Sequence, residues 1–136
     1  MCGLGEIDES VIERIKKVIE MKNNEKVNIT KTFNTFWLRS EESELEFRVS
    51  RLANVKIIIS RVEFTKKRNG TMTNIFLILK QYCEKENIKL ITVQSVSSKE
   101  MMNWCLKNSF KPDYFNFEHD GVVYGDYNYT VNGQNE

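Results

Sequence analysis

The residues with the clearest chemical potential lie in one run, Val62-Glu63-Phe64-Thr65-Lys66-Lys67-Arg68-Asn69-Gly70-Thr71-Met72-Thr73. An apolar strand pattern enters a basic turn that carries one glycine, and a helical pattern follows. The first N–H groups of a helix have no intrahelical acceptor, and the helix dipole adds partial positive charge at the same end. A pyrophosphate is well matched to such a terminus, with Lys67 and Arg68 adding charge. Gly70 lets backbone approach phosphate closely. The turn alone is equally compatible with a plain basic surface loop that starts a helix.

Glu63 alternates with Val62 and Phe64, so it points to the opposite strand face; it is a candidate base, or a polar residue at a solvated strand end. Cys105 is a candidate nucleophile, but Trp104 and Met101 surround it and no histidine is near in sequence, which favours a buried thiol acting as a small hydrophobe. His119 beside Asp120 fits an exposed turn. Tyr114, Tyr124, Tyr127 and Tyr129 suit a sheet face; they also suit an acceptor cleft or base stacking in a nucleic-acid binder.

The elements that must position these groups are legible as patterns. Asp8 to Met21 predicts a helix, capped by Asp8 or Ser10, with Val11, Ile12, Ile15, Val18 and Ile19 on one stripe. Lys26 to Thr32, Phe33 to Arg39 and residues 43–52 read as strands. Asn54 to Thr65 predicts a central strand, because Val55-Lys56-Ile57-Ile58-Ile59 is nearly all apolar. Thr71 to Glu86 predicts a helix that buries Met72, Ile75, Phe76, Leu79, Tyr82 and Cys83. Ile88 to Val96 predicts a second buried strand, and Ser97 or Ser98 caps a helix to about Asn108 with Met101, Trp104 and Cys105 inward. Asp113 to Glu118 and Val122 to Val131 predict a hairpin with Asp120-Gly121 as the turn. Strand runs followed by a strand–helix–strand crossover predict an α/β fold with a twisted mixed sheet and helices on both faces.

The composition bounds the partners. Twenty Lys and Arg against 19 Asp and Glu give a net charge of +1, which argues against a nucleic-acid partner. Three cysteines, Cys2, Cys83 and Cys105, and one histidine do not make a zinc set. Their reduced state, and the lack of a leader or spanning apolar run, predict a cytoplasmic protein with no membrane partner. The expectation is one domain over 1–136 with a disordered tail at 132–136, and a homodimer is compatible with it.

Residues 54–131 resemble the GNAT superfamily of acyl-CoA N-acyltransferases. Lys67-Arg68-Asn69-Gly70-Thr71-Met72 is similar to the family signature Arg/Gln-x-x-Gly-x-Gly/Ala, with Lys at the first position and Met at the last. Ser98 to Phe110 is similar in spacing to Asn-x-x-Ala-x-x-x-Tyr-x-x-x-Gly-Phe, with Ser98, Met101, Cys105 and Ser109 at the Asn, Ala, Tyr and Gly positions. The resemblance implies a GNAT-like sheet and acetyl-CoA as co-substrate, with an amine as acceptor. It places Val62 and Phe64 against the pantetheine arm, and Lys67 and Arg68 to Thr73 (Asn69, Gly70, Thr71 and Met72 between them) at the pyrophosphate. It also places Ser98 on CoA and Cys105 where an acid toward the departing thiolate stands; in such an acyltransferase Glu63 would take the amine proton. The segment ahead of the central strand is shorter than the family's, and it carries the acceptor-binding elements, so the acceptor is not implied. A non-catalytic binding protein on this fold, acting on a protein or nucleic-acid partner, is the alternative.

Overall fold

The structure, a computed structural model, describes residues 6–67 and 69–131. Arg68, Cys2 and the expected tail at 132–136 lie outside the described residues. Helix α1 (Glu9–Asn23) leads into four strands, β1 (Val27–Thr32), β2 (Thr35–Ser40), β3 (Glu46–Leu52) and β4 (Lys56–Glu63). Helix α2 (Thr71–Glu86), strand β5 (Leu90–Val96) and helix α3 (Lys99–Lys107) follow. Strands β6 (Lys111–Pro112), β7 (Phe117–His119) and β8 (Val122–Thr130) complete the chain. The sheet order is β1-β2-β3-β4-β5-β8-β6, with β7 also pairing β8. Among the described residues only β4 and β5 run parallel, joined through α2; the other pairs are antiparallel. The mixed α/β sheet expected from the sequence is therefore observed.

Helix α1 starts at Asp8, whose side chain accepts from Ser10 N, and its Val11, Ile12, Ile15 and Ile19 are buried. Helix α2 buries Met72, Ile75, Phe76, Leu79, Tyr82 and Cys83, the stripe read from its spacing. Across the sheet, Phe36–Val49–Ile59 and Leu38–Phe47–Val62 stand opposite one another in register; strand side chains alternate in direction, so these rows share one face. All but the half-buried Val62 are fully buried. The buried Arg51 of β3 ties the sheet to α2: its guanidinium donates to Tyr82 Oη at 2.7 Å and to Asn54 Oδ1 at 2.7 Å.

Several expected boundaries shift. Phe33 is a turn residue at φ 53° and is 95% exposed, so β2 begins only at Thr35. The third strand starts at Glu46 rather than 43, because Ser43 Oγ accepts from Leu45 N in a tight turn. The hairpin turn is where Asp120-Gly121 predicts it, with both residues at positive φ (53° and 81°), as a type I′ turn requires. Its first arm is short: Asp113 to Asn116 forms a turn, with Asn116 N bonded to Asp113 O, and only Phe117–His119 pairs.

Candidate functional site

Strands β4 and β5 pair only from Lys56↔Leu90 to Ile59↔Val93. Beyond that point both continue, to Glu63 and Val96, without pairing each other. Each is bulged where they part. On β4, Arg61 opposes Arg48 and Ile59 opposes Val49, so Ser60 is the extra residue. On β5, Val93 opposes Tyr127 and Val96 opposes Gly125, so two residues face one. Ser95 takes φ 53° there, and its N–H is held by Asp126 Oδ1 at 2.9 Å. A bulge bends its strand and increases the twist, which is the local reason the two strands diverge. The result is a cleft of about 890 Å³ between Ser60–Phe64, Val93–Ser98, the start of α2 and the side of α3.

The start of α2 forms the end wall of this cleft. Gly70 is its N-cap at φ 85° and supplies no side-chain cap. That backbone conformation is the reason for glycine: a Cβ placed there would find only Lys22 Nζ, at 3.7 Å, so the position has room but disfavours an L-residue. With no side-chain cap, the first-turn N–H groups of Thr71, Met72 and Thr73 have no intrahelical acceptor. The turn itself is anchored by α1. Asn23, 1% exposed, accepts from Lys66 N at 2.9 Å, and Asn69 Nδ2 donates to Lys22 O at 2.5 Å. Thr71 Oγ1 donates to Asn69 Oδ1 at 2.8 Å. On the other side, Thr65 and Ser43 bond the Glu25 carboxylate. Hydrogen bonds from Ser40, Ser43 and Thr65 hold that carboxyl below its ordinary range.

The expected site residues divide. Val62, Glu63, Phe64, Lys67, Asn69, Gly70, Thr71, Met72, Thr73 and Ser98 all border the cleft; Arg68 is outside the described residues. Their side chains are less free than their positions suggest. The Glu63 carboxylate is 3.1 Å from Lys67 Nζ, Asn69 is turned back onto α1, and Ser98 Oγ accepts from Met101 N as the cap of α3. Phe64, Thr71 and Met72 are buried.

Cys105 is not brought to the cleft. It is fully buried, and desolvation pushes its thiol up to about 12. Helix α3 is phased so that Met102 and Cys105 face the core, while Met101 and Trp104, expected inward, are only half-buried and border the cleft. Arg61, Asn103 and Lys107, which no motif marks, border the same space. Arg61 reaches the cleft because β4 and β5 diverge after Ile59 and Val93, which no local pattern marks. Among the described residues no group of His, Cys, Asp and Glu could hold a metal ion, and no helix is long and apolar enough to cross a membrane.

No family model matches the sequence, and no curated protein matches it either. Solved structures do. The ribosomal-protein-S18-alanine N-acetyltransferase from Escherichia coli superposes with a TM-score of 0.51 at 10% identity, over 96% of this chain and 94% of that one. A candidate N-acetyltransferase from Lactobacillus plantarum gives a TM-score of 0.51 at 8% identity, over 93% and 95%. The PaiA N-acetyltransferase from Thermoplasma acidophilum, solved with coenzyme A, aligns at 13% identity and a TM-score of 0.49; the alignment covers 71% of this chain and 59% of that one. The first two carry the comparison: this chain shares their fold, the GNAT-like mixed sheet expected from the sequence.

Proposed function

We propose that the protein binds acyl-CoA in the β4/β5 cleft and transfers its acetyl group to an amine. The observation that carries this reading is the divergence after Ile59 and Val93, which leads directly to the Gly70 turn. Two strand edges without a partner between them suit an extended arm that bears amides, because backbone groups can pair with it as a further strand would. The pantetheine arm is such a group. Ser60–Glu63, including Val62, supplies one edge and Gln94–Val96 the other, with Phe64 closing the floor. The pyrophosphate then meets the N–H groups of Gly70, Thr71, Met72 and Thr73, with Lys67 and Arg68 for charge. Asn69 and Ser98 contribute through backbone and position, since their side chains serve the fold. The similar solved structures named as N-acetyltransferases support the reaction by analogy of fold.

In the reaction, a neutral amine attacks the thioester carbonyl, the carbon–sulfur bond breaks, and the thiolate leaves with a proton. Cys105 is buried away from the cleft and holds its own proton, so that proton comes from water. Glu63 borders the cleft and can take the amine proton once released from Lys67. The same two facts, a buried Cys105 and a Glu63 tied to Lys67, favour one second reading: a protein that binds acyl-CoA and transfers nothing. Release of free CoA thiol separates them. With acetyl-CoA and a lysine-bearing peptide or a polyamine, an N-acetyltransferase releases thiol faster than buffer does; binding by calorimetry without release for any amine supports the second reading.

A further inference from the structure

We infer that Trp104 is the platform on which the adenine of the acyl-CoA stacks, a reading that rests on the proposed occupancy of the cleft. Trp104 lies on the cleft side of α3, half-buried. Its position is fixed from two directions. The indole N–H donates to Thr73 Oγ1 at 3.1 Å, so it is tied to the first turn of α2, where the pyrophosphate is placed. Phe76 packs against it in a T-shaped pair at 5.6 Å between centroids, and Phe110 packs at 5.5 Å with a 47° tilt. An indole clamped this way loses little freedom when a ligand covers it.

The surroundings point to a flat group of mixed polarity rather than to a purely apolar one. Asn103 and Lys107 border the cleft beside Trp104. In a nucleotide the base lies one ribose beyond the diphosphate, and any base can stack on an aromatic side chain through its π-face. Lys107, one turn along from Asn103, is a cation at the same rim for the phosphate carried on the ribose. Trp104 thus completes a run of contacts along one molecule, from strand edges to helix terminus to aromatic face.

The test uses the full chain and compares two ligands. Acetyl-CoA carries the nucleotide; S-acetyl-4′-phosphopantetheine carries the arm and one phosphate without it. Trp104→Leu is expected to weaken acetyl-CoA about tenfold, as loss of base stacking does, and to leave the phosphopantetheine ligand within about twofold, a difference small against the tenfold step of 1.4 kcal/mol. Trp104→Phe keeps an aromatic face and the packing on Phe76, so it should retain most of the affinity; it also guards against a Leu variant that folds poorly, with far-UV circular dichroism as the check. The protein has two tryptophans, so a Trp37→Phe variant reports Trp104 alone, and its emission should be quenched by acetyl-CoA. Equal binding of acetyl-CoA by wild type and Trp104→Leu, an equal loss for both ligands, or unchanged emission at saturation overturns the adenine platform while leaving the cleft reading intact. If wild type binds neither ligand, both fall.

Discussion

The side-chain oxygen of Asn23, at the end of α1, accepts a hydrogen bond from the backbone N–H of Lys66, 43 residues away, at 2.9 Å. The same amide donates to Ile19 O at 3.0 Å. A buried amide satisfied from two elements holds them in one relative position, because either partner left unpaired in the core costs free energy. Asn23 thereby sets where the Lys66–Thr71 turn stands against the cleft, although nothing in the local sequence of that turn refers to α1.

Asn23→Ala should therefore lower stability by about 1–3 kcal/mol, the cost of leaving a buried polar group unpaired, and weaken acetyl-CoA binding in the protein that remains folded. Urea unfolding gives the first quantity and calorimetry the second. A variant with unchanged stability would show that water replaces the amide without cost.

Phe76 is 4% exposed and touches Trp104, Phe110 and Tyr129, with centroids 5.6, 5.2 and 5.0 Å away. Phe76→Ala should cost about 3–5 kcal/mol by chemical denaturation. A loss under about 1 kcal/mol, the range of surface substitutions, would contradict the packing of α2 on β8 and α3.

The cysteines give a pH dependence. Burial raises both Cys83 and Cys105 to about 12, whereas an unfolded thiol titrates near ~8.5. Below that pH both states hold the proton and these groups leave stability unchanged with pH. Between about 8.5 and 12 the unfolded chain loses protons that the folded one keeps, so each thiol lowers stability by about 1.4 kcal/mol per pH unit. Urea midpoints measured from pH 8 to 10.5 should fall, and a Cys83→Ala, Cys105→Ala double variant should fall less steeply from a lower starting point. Iodoacetamide at pH 8 should label neither Cys83 nor Cys105 without denaturant. Rapid labelling of Cys105 in the folded protein would reopen a catalytic role for it.

Gly70 separates backbone demand from crowding. With φ at 85° and space for a Cβ, Gly70→Ala should cost about 1–2 kcal/mol for the left-handed conformation, and Gly70→Asn less, because Asn tolerates that region. A loss well above this in the Ala variant, read from its urea midpoint, would mean that crowding and not φ selects glycine.

Much of the fold was legible because its elements are locally consistent. The α2 stripe, the Ser98 cap and the Asp120-Gly121 turn each follow from nearest-neighbour rules, and each is where those rules put it. The site was less legible, for reasons that are not local. The cleft exists because β4 and β5 stop pairing after Ile59 and Val93, and a bulge at Ser60 leaves little mark in an apolar strand. The phase of α3 is not set by its own sequence, because Met101, Met102, Trp104 and Cys105 are all apolar enough to face inward; Trp104 is held at the cleft by Thr73 and Phe76, neither of them near in sequence.

The central claim, that the cleft between β4 and β5 holds acyl-CoA with its pyrophosphate on the Gly70 turn, is tested most directly by a thermal unfolding scan with and without acetyl-CoA. A ligand that binds only the native state stabilises it by about 2.7 kcal/mol at one hundred times its dissociation constant, which for a domain of this size raises Tm by several degrees. That rise is expected for wild type and for Gly70→Asn, and none for Gly70→Glu, whose carboxylate would occupy the phosphate position. An unmoved wild-type Tm at millimolar acetyl-CoA, or an equal rise in folded Gly70→Glu, would contradict it.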